Sequence, residues 1–429
     1  MQGPGRQVFT NPARKGRAFS GGSSLYDLVV VGSGPTGSRL AARVAEAGLR
    51  TLLVEEHEQV GLPVHCTGIV SEEMLRRYAV PDTVRTVRLN RFDLITPTGR
   101  RARIPGLQAW LINRRKLDQS LASQAVQRGA ELLMGTPVEA VKPVGHHLDL
   151  VLKDRRVTTR LCALATGAMS TLPQRCGLKS PPAFWQTAQL RAELADLAGV
   201  EVYLEQSITP GSFSYAVPVP GETPLLGLIT RSGAWPAMHR FLERLGKSGR
   251  LGPMVGKATC RRIPMGPSPR SVRGRLMAVG DAAGQAKTTT GGGIYFGMMC
   301  ADLLADTILE ARSGGDFLPA RLAGYDQRWK KRFRTELRAG YLARRIFEHV
   351  DDRELEELAG MLEDPEIRGI LVREADYDCH LPLMNSLLRL PSVRRAALNL
   401  VGRRFPGASL LALLQRVGPG VTQFSWRNT

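Results

Sequence analysis

The chain has 429 residues, 43% of them hydrophobic and 23% charged, an ordinary globular balance and enough length for two domains or one domain with large insertions. Its 59 Lys and Arg against 39 Asp and Glu give a formal net charge of +20, so a polyanion is the expected partner: nucleic acid, an anionic membrane face or an acidic redox protein. No zinc-ligand spacing, RNA-binding strand motif or repeat accompanies the charge, which argues against nucleic acid and a metal site, and no run of about 18 apolar residues exists to span a bilayer.

In chain order, residues 1–24 hold four basic residues, no acid and much glycine, and lack the apolar segment of a secretory signal; they read as a disordered basic leader. Leu28 to Val31 is a short apolar run expected as a buried parallel strand. Ser38 to Ala47 follows with helical spacing, Leu40, Ala41, Val44 and Ala45 sharing a face and Gly48 ending it. Residues 50–54 form a second expected strand. Between the first strand and the helix stands Gly32-Ser33-Gly34-Pro35-Thr36-Gly37, and Glu55 ends the second strand, 23 residues after Gly32. Such a unit brings backbone N–H groups up to a pyrophosphate at a helix N-terminus, while the Glu55 carboxylate accepts from ribose hydroxyls.

Strand-like runs at 200–204, 212–219 and 225–230 are expected to form an antiparallel sheet, the substrate domain of residues 184–261. The apolar run 276–279 then leads into Gly280-Asp281-Ala282-Ala283-Gly284, and Gly291-Gly292-Gly293-Ile294 opens a helix expected from about 293 to 310. An aspartate placed there can bind a polyol, and the glycines let main chain lie against a flat ring system. Two such motifs hold one long cofactor at two points, which fits FAD and not NAD alone. The fold expected is α/β: a Rossmann-type FAD-binding domain in two parts, residues 25–183 (with an inserted segment at about 73–104) and 262–312, an inserted antiparallel-sheet substrate domain, and a helical C-terminal region from 313 to 429.

Within that last region Trp329 to Arg334 reads as a solvated basic face. From Cys379 to Thr429 there are seven arginines and no acid, interleaved with leucines. This tail either lies on anionic lipid with its arginines at the headgroups or packs on the body as a helical cap. Six cysteines without a CxxC pair fit a reducing cytoplasm, with the tail as the one candidate for peripheral membrane contact.

Over residues 26–308 the chain resembles the FAD-dependent geranylgeranyl reductases, within the aromatic-hydroxylase-like flavoprotein superfamily. The resemblance rests on four segments: the glycine turn with Glu55; Pro63-Val64-His65-Cys66-Thr67-Gly68-Ile69-Val70-Ser71; Asn113-Arg114 leading to Leu117-Asp118; and the run from Gly280 to Ile294. It implies FAD held by Gly32, Gly34, Pro35, Thr36, Gly37, Glu55, Cys66, Arg114, Gly167, Asp281, Gly284, Gly291, Gly292, Gly293 and Ile294. Asp281 would serve the ribityl or pyrophosphate part, and the loop 287–293 would border the isoalloxazine. The family's Tyr-x-Trp-x-Phe-Pro run and following Gly-x-Gly correspond to Phe213-Ser214-Tyr215-Ala216-Val217-Pro218 and Gly227-Leu228-Ile229, which implies an isoprenoid channel lined by Phe213, Tyr215, Val217, Pro218 and Gly227. Thr288 departs from the family's usual proline, and Thr166-Gly167 stands where the hydroxylases carry Asp-Gly.

Nothing polarises an isolated carbon–carbon double bond, so hydride from reduced flavin must be matched by a proton delivered in a water-excluding site. Cys66 is the first candidate to tune that step, and His65 and Tyr215 are further proton sources. Against these stand a small packing cysteine and a loop histidine bonded to backbone. The expected activity is FAD-dependent reduction of a geranylgeranyl-type chain on a lipid or tetrapyrrole ester. Two alternatives are a monooxygenase of an aromatic or polyene substrate and a non-catalytic flavin-bearing electron-transfer partner at the membrane. With one GxGxxG unit no separate NADPH domain is expected, and electrons come from NADPH or from ferredoxin.

Overall fold

In the computed structural model, residues 25–313 and 317–404 are described, together with the backbone of Val8–Phe9. The apolar run at the first glycine turn becomes the strand Tyr26–Val31, buried on both faces as a central parallel strand must be. It pairs in parallel with Thr51–Val54 on one side and Arg156–Leu164 on the other; Glu131–Leu133 and Leu276–Ala278 extend the parallel set outward. His147–Leu152 and Val138–Val144 add an antiparallel hairpin. The helices Pro35–Glu46, Arg114–Gln127 and Ile294–Ser313 cover one face, burying Leu40, Val44, Leu121, Met298 and Leu304 against Leu28, Val30 and Leu53.

Every parallel strand ends at the same edge. Val31 runs into Gly32, Val54 into Glu55, Leu164 into Ala165-Thr166-Gly167, and Ala278 into Gly280-Asp281. Residues far apart in sequence therefore converge at the carboxyl edge of the sheet, where open α/β sheets bind ligands.

The second sheet has seven strands in the order Leu251–Met265, Ala183–Leu194, Glu222–Thr230, Phe213–Val219, Val200–Tyr203, Phe92–Ile95 and Arg101–Arg103. Its neighbours run antiparallel except Val200–Tyr203 beside Phe92–Ile95, which are parallel. Two of its strands come from the segment 73–104. The helix Ala234–Lys247 packs Ala237, Met238 and Phe241 on one face, over Ala188, Leu226 and Leu228. A three-stranded sheet of Ile69–Val70, Ala109–Ile112 and Arg85–Leu89 joins the two.

Two expectations need correction. Trp329 and Phe333 are not on a solvated face: they are 0% and 1% exposed on the helix Pro319–Phe347, packed into the main core, and Trp329 Nε1 donates to Ser271 Oγ at 3.0 Å. Helical periodicity turns only Lys331 and Arg334 of that run fully outward. The leader is not wholly without structure, since Val8–Phe9 pairs antiparallel with Glu131–Leu133 at the sheet edge; its remaining residues lie outside those described. Of the arginine-rich tail, Leu381–Arg389 and Pro391–Arg404 are helices with Leu381, Leu390 and Val401 buried, and residues 405–429 lie outside those described. Among the described residues no helix is long and apolar enough to cross a membrane.

Candidate functional site

A cavity of about 690 Å³ opens between the carboxyl edge of the parallel sheet and the bare face of the seven-stranded sheet. Its first wall is the glycine turn. Gly32 has φ of +103°, and a β-carbon there would lie 2.4 Å from the Ala165 carbonyl oxygen; one on Gly37 would lie 1.9 Å from the Gly32 oxygen. Gly32 lets the turn close on the end of the neighbouring strand and Gly37 lets the helix close on the turn, whereas a β-carbon on Gly34 meets nothing within 4 Å. Pro35 starts the helix where an N–H would have no intrahelical partner, and Thr36 lines the cavity beside it.

Glu55 sits at the far end of that wall. Its Oε2 accepts from the Ser33 backbone N–H at 2.8 Å and the Ser33 hydroxyl at 2.7 Å, and its Oε1 faces the His57 backbone N–H at 3.1 Å and ring Nδ1 at 2.7 Å. Burial works against its charge, but these four contacts hold the carboxyl below the ordinary range. The four acceptor positions are thus engaged, and a ribose hydroxyl would bind by displacing the mobile partners, the Ser33 hydroxyl or the His57 ring.

Arg114 opens the helix capped by Asn113 and forms a two-point ion pair with Asp118, at 3.1 and 3.0 Å. Burial alone would lower the guanidinium's pKa, but Asp118, with Cys66 adding, holds it above the usual value. Asp281 is partly buried and has no such partner among the described residues; its loss of water contact pushes its carboxyl up to about 6, with Arg114 opposing. Gly293 stands directly before it, since a β-carbon there would lie 2.4 Å from Asp281 Oδ1.

His65, Cys66 and Tyr215 all line the cavity, as do Gly167, Gly291 and Ile294. Arg261 donates Nη2–H to His65 Nε2, so the ring's own proton must sit on Nδ1. Burial first, then the Arg261 charge, lowers the His65 pKa to about 4, and the ring is neutral at physiological pH. Its Nδ1, Thr166 Oγ1 and Thr290 Oγ1 are buried and without a partner among the described residues, and all three residues line the cavity. Three orphaned polar atoms beside two glycine-rich turns fit a large polar ligand such as a flavin dinucleotide, whose polar edge would satisfy them.

Gly37, Gly284, Gly292, Pro218 and Gly227 do not line the cavity. They stand behind its wall: a β-carbon on Gly284 would lie 2.3 Å from the Gly266 oxygen, on Gly292 2.6 Å from Lys287 Cε, and on Gly227 2.3 Å from the Tyr215 ring. Phe213, Tyr215 and Val217 alternate on one strand and point into the cavity, joined by Val200 and Val202, and by Phe92 and Leu94. One bare sheet face therefore makes a mainly apolar arm, closed by Ile69, Ile104 and Leu107. Gln189 Nε2 donates to Tyr215 Oη at 2.6 Å. Burial pushes the Tyr215 phenol well above its ordinary value, Gln189 opposing and nearby Cys66 adding.

Sequence reasoning missed the contribution of Asp376, Tyr377 and His380, which close the cavity from the C-terminal region. Tyr377 and His380, with Asp378 and Arg344, also hold the loop 287–293. Lys287 Nζ pairs with Asp378 Oδ1 at 2.9 Å and lies over the Tyr377 ring at 4.2 Å, Thr289 Oγ1 meets His380 Nδ1 at 3.0 Å, and Arg344 Nε donates to the Thr288 oxygen at 3.0 Å. No local motif marks these residues. Gln189 and Arg261 were missed also, although the period-two alternation of their strands is visible in the sequence.

The family model described as lycopene cyclase protein matches residues 27–358. A digeranylgeranylglycerophospholipid reductase of Methanocaldococcus jannaschii is 29% identical over 359 residues, covering 79% of this chain and 91% of the relative. A second enzyme of that name, from Methanothermobacter thermautotrophicus, is 27% identical over 392 residues, covering 85% and 100%. Among solved structures, a geranylgeranyl bacteriochlorophyll reductase-like protein of Thermoplasma acidophilum superposes with a TM-score of 0.77 at 21% identity, covering 88% of this chain and all 100% of that one. A variant of the halogenase PltM in complex with FAD superposes with a TM-score of 0.64 at 13% identity, covering 92% and 95%. These relatives bear out the resemblance drawn from the glycine motifs and the Cys66 segment.

Proposed function

The chain belongs to the lycopene cyclase protein family, and on that premise we propose that it is an FAD-dependent oxidoreductase that reduces carbon–carbon double bonds of a geranylgeranyl-type isoprenoid, carried by a lipid or a tetrapyrrole ester. The observation that carries this is the two-armed cavity. One arm is built of glycine turns, buried orphaned polar atoms and Asp281; the other is the mainly apolar face of a sheet, and Cys66 lines the same cavity. The names of the reductase relatives support the isoprenoid substrate, and the FAD-bound structural neighbour supports the cofactor.

The turn Gly32 to Gly37 would take the pyrophosphate at the helix N-terminus, Glu55 the adenosine ribose, Asp281 the ribityl chain, and Thr166, Gly167, Thr290, Gly291, Gly293 and Ile294 the ring system. Reduced FAD supplies a hydride there. The chain's own part is to seat the substrate on the sheet face, exclude water and provide the matching proton near Cys66, His65 and Tyr215. His65, neutral and carrying its proton on Nδ1, presents a hydrogen-bond donor and not a charge. NADPH or ferredoxin would supply the electrons.

The test is anaerobic photoreduction of the protein's bound flavin, then addition of a geranylgeranylated lipid and mass spectrometry of the product. Flavin reoxidation with a gain of two hydrogens per saturated bond is expected. Flavin that stays reduced until oxygen is admitted would overturn the reductase assignment while leaving the cofactor in place.

A further inference from the structure

Among the described residues Lys287 and Arg344 are the only buried lysine and arginine, at 3% and 5% exposed, and both bear on the loop 287–293. Lys287 is neutralised by Asp378 at 2.9 Å. Arg344, near the end of the helix Pro319–Phe347, has no such counter-ion among the described residues, and its guanidinium meets neutral oxygens instead. Nε donates to the Thr288 carbonyl at 3.0 Å, and Nη1 to the Gly211 carbonyl at 2.9 Å and the Ser212 hydroxyl at 3.1 Å. Nη2 is buried without a partner among the described residues.

A charge taken out of water without a counter-ion is costly, and buried charges are normally paired. Burial lowers the Arg344 pKa to about 10, with Glu348 one turn on opposing, so the guanidinium stays charged at physiological pH. Only peptide and hydrocarbon stand between it and the cavity. Its Cζ lies 4.3 Å from the centre of the Trp185 ring, Trp185 packs with Ile229 and Ile263, and a β-carbon on Gly291 would lie 2.6 Å from Ile263 Cδ1. Ile229, Ile263 and Gly291 all line the cavity. Water does not screen a charge through such a wall, so its field reaches the loop side of the cavity. Of the other cations there, Arg114 is paired with Asp118, while Arg261 and Arg262 are partly or fully exposed, where solvent screens them.

Resting on the reading that FAD binds here with its ring system at the loop 287–293, we propose that Arg344 stabilises the reduced form of that ring system and raises its reduction potential. Reduction adds two electrons and one proton, supplied together as a hydride when NADPH is the donor, so a neutral ring system gains one negative charge. A fixed positive charge behind the loop favours that state. When the hydride passes to the substrate the ring system is neutral again. Arg344 thus holds electrons in the protein until a double bond is seated, and it does so without touching cofactor or substrate.

The experiment is an anaerobic reductive titration of the flavin-loaded protein against a reference dye, which reads the midpoint potential without turnover. Arg344→Met should lower the equilibrium constant for reduction about tenfold, a fall of about 30 mV for a two-electron couple, and Arg344→Lys should stay close to the natural chain. Lys287→Met with Asp378→Leu disturbs the same loop but removes one charge of each sign, and should leave the potential close to that of the natural chain. Arg344→Gln keeps a donor for the neighbouring oxygens and loses the charge, so it should fall as the Met variant does and serves where that variant does not fold. A potential unmoved in Arg344→Met and Arg344→Gln, or one that falls as far in Arg344→Lys or in the double variant, would overturn the proposal. Flavin bound at a potential indifferent to Arg344 leaves the reductase assignment standing; a protein that takes up no flavin overturns the cofactor reading and this proposal together.

Discussion

Asp281, partly buried in the cavity wall, couples the site to pH. Its ordinary pKa of 3.8 is raised to about 6 by burial, so between those values the folded protein keeps a proton that the unfolded chain has released. A group shifted upward in this way favours the native state fully only below 3.8; its contribution is lost as pH rises and is gone above about 6. The difference of about two pKa units corresponds to about 3 kcal/mol. Asp281→Asn, freed of that ionisation, should gain stability over the natural flavin-free protein progressively across this window. Urea denaturation of both at a series of pH values tests it, and a difference that stays flat with pH would show that Asp281 is not shifted.

At the scale of elements, the loop 287–293 is shaped by contacts from helices that lie far away in the chain. Lys287 and Asp378 have side chains only 3% and 7% exposed, and their ion pair ties the loop to the segment that closes the cavity. Removing one partner strands a buried charge, at a cost of about 3–5 kcal/mol, whereas replacing both with apolar groups of similar size recovers much of it. Lys287→Met should therefore lower the unfolding free energy by about that amount, and Lys287→Met with Asp378→Leu by clearly less. Equal losses in a thermal or urea melt would mean that the pair is not what holds the loop.

At the scale of the whole molecule, part of the arginine surplus is internal. Buried Asp93 takes Arg91, Arg101 and Arg103, and buried Glu201 takes Arg101 and Arg250, which ties the strands Phe92–Ile95, Arg101–Arg103 and Val200–Tyr203 to one another and to the residue that precedes Leu251–Met265. The net +20 remains, however, since four arginines meet only two carboxylates here and pairing cancels no more charge than the carboxylates carry. A surface so charged should bind anionic lipid vesicles at low ionic strength and release them when the Debye length falls to about 3 Å at 1 M salt. Co-sedimentation with anionic and with zwitterionic vesicles checks this; binding indifferent to both salt and lipid charge would exclude an electrostatic membrane contact.

The sequence by itself determined the parts of the site whose physics is local. A strand, a glycine turn and a helix in unbroken succession specify the dinucleotide wall from Tyr26 to Glu55, and Gly280 to Ile294 specify the second, because close backbone approach demands glycine at fixed steps. Cys66, His65, Arg114 and Tyr215 were singled out through the family resemblance of their segments, and all four line the cavity. The tertiary structure alone decided what depends on long-range packing: that Phe92–Ile95 joins the seven-stranded sheet, that Trp329 and Phe333 turn inward, that Tyr377 and His380 close the cavity, and that Gln189 meets Tyr215 across Gly227. Strand register and helix docking are set by which apolar faces can be buried together, and that is a property of the assembled chain, which no short segment records.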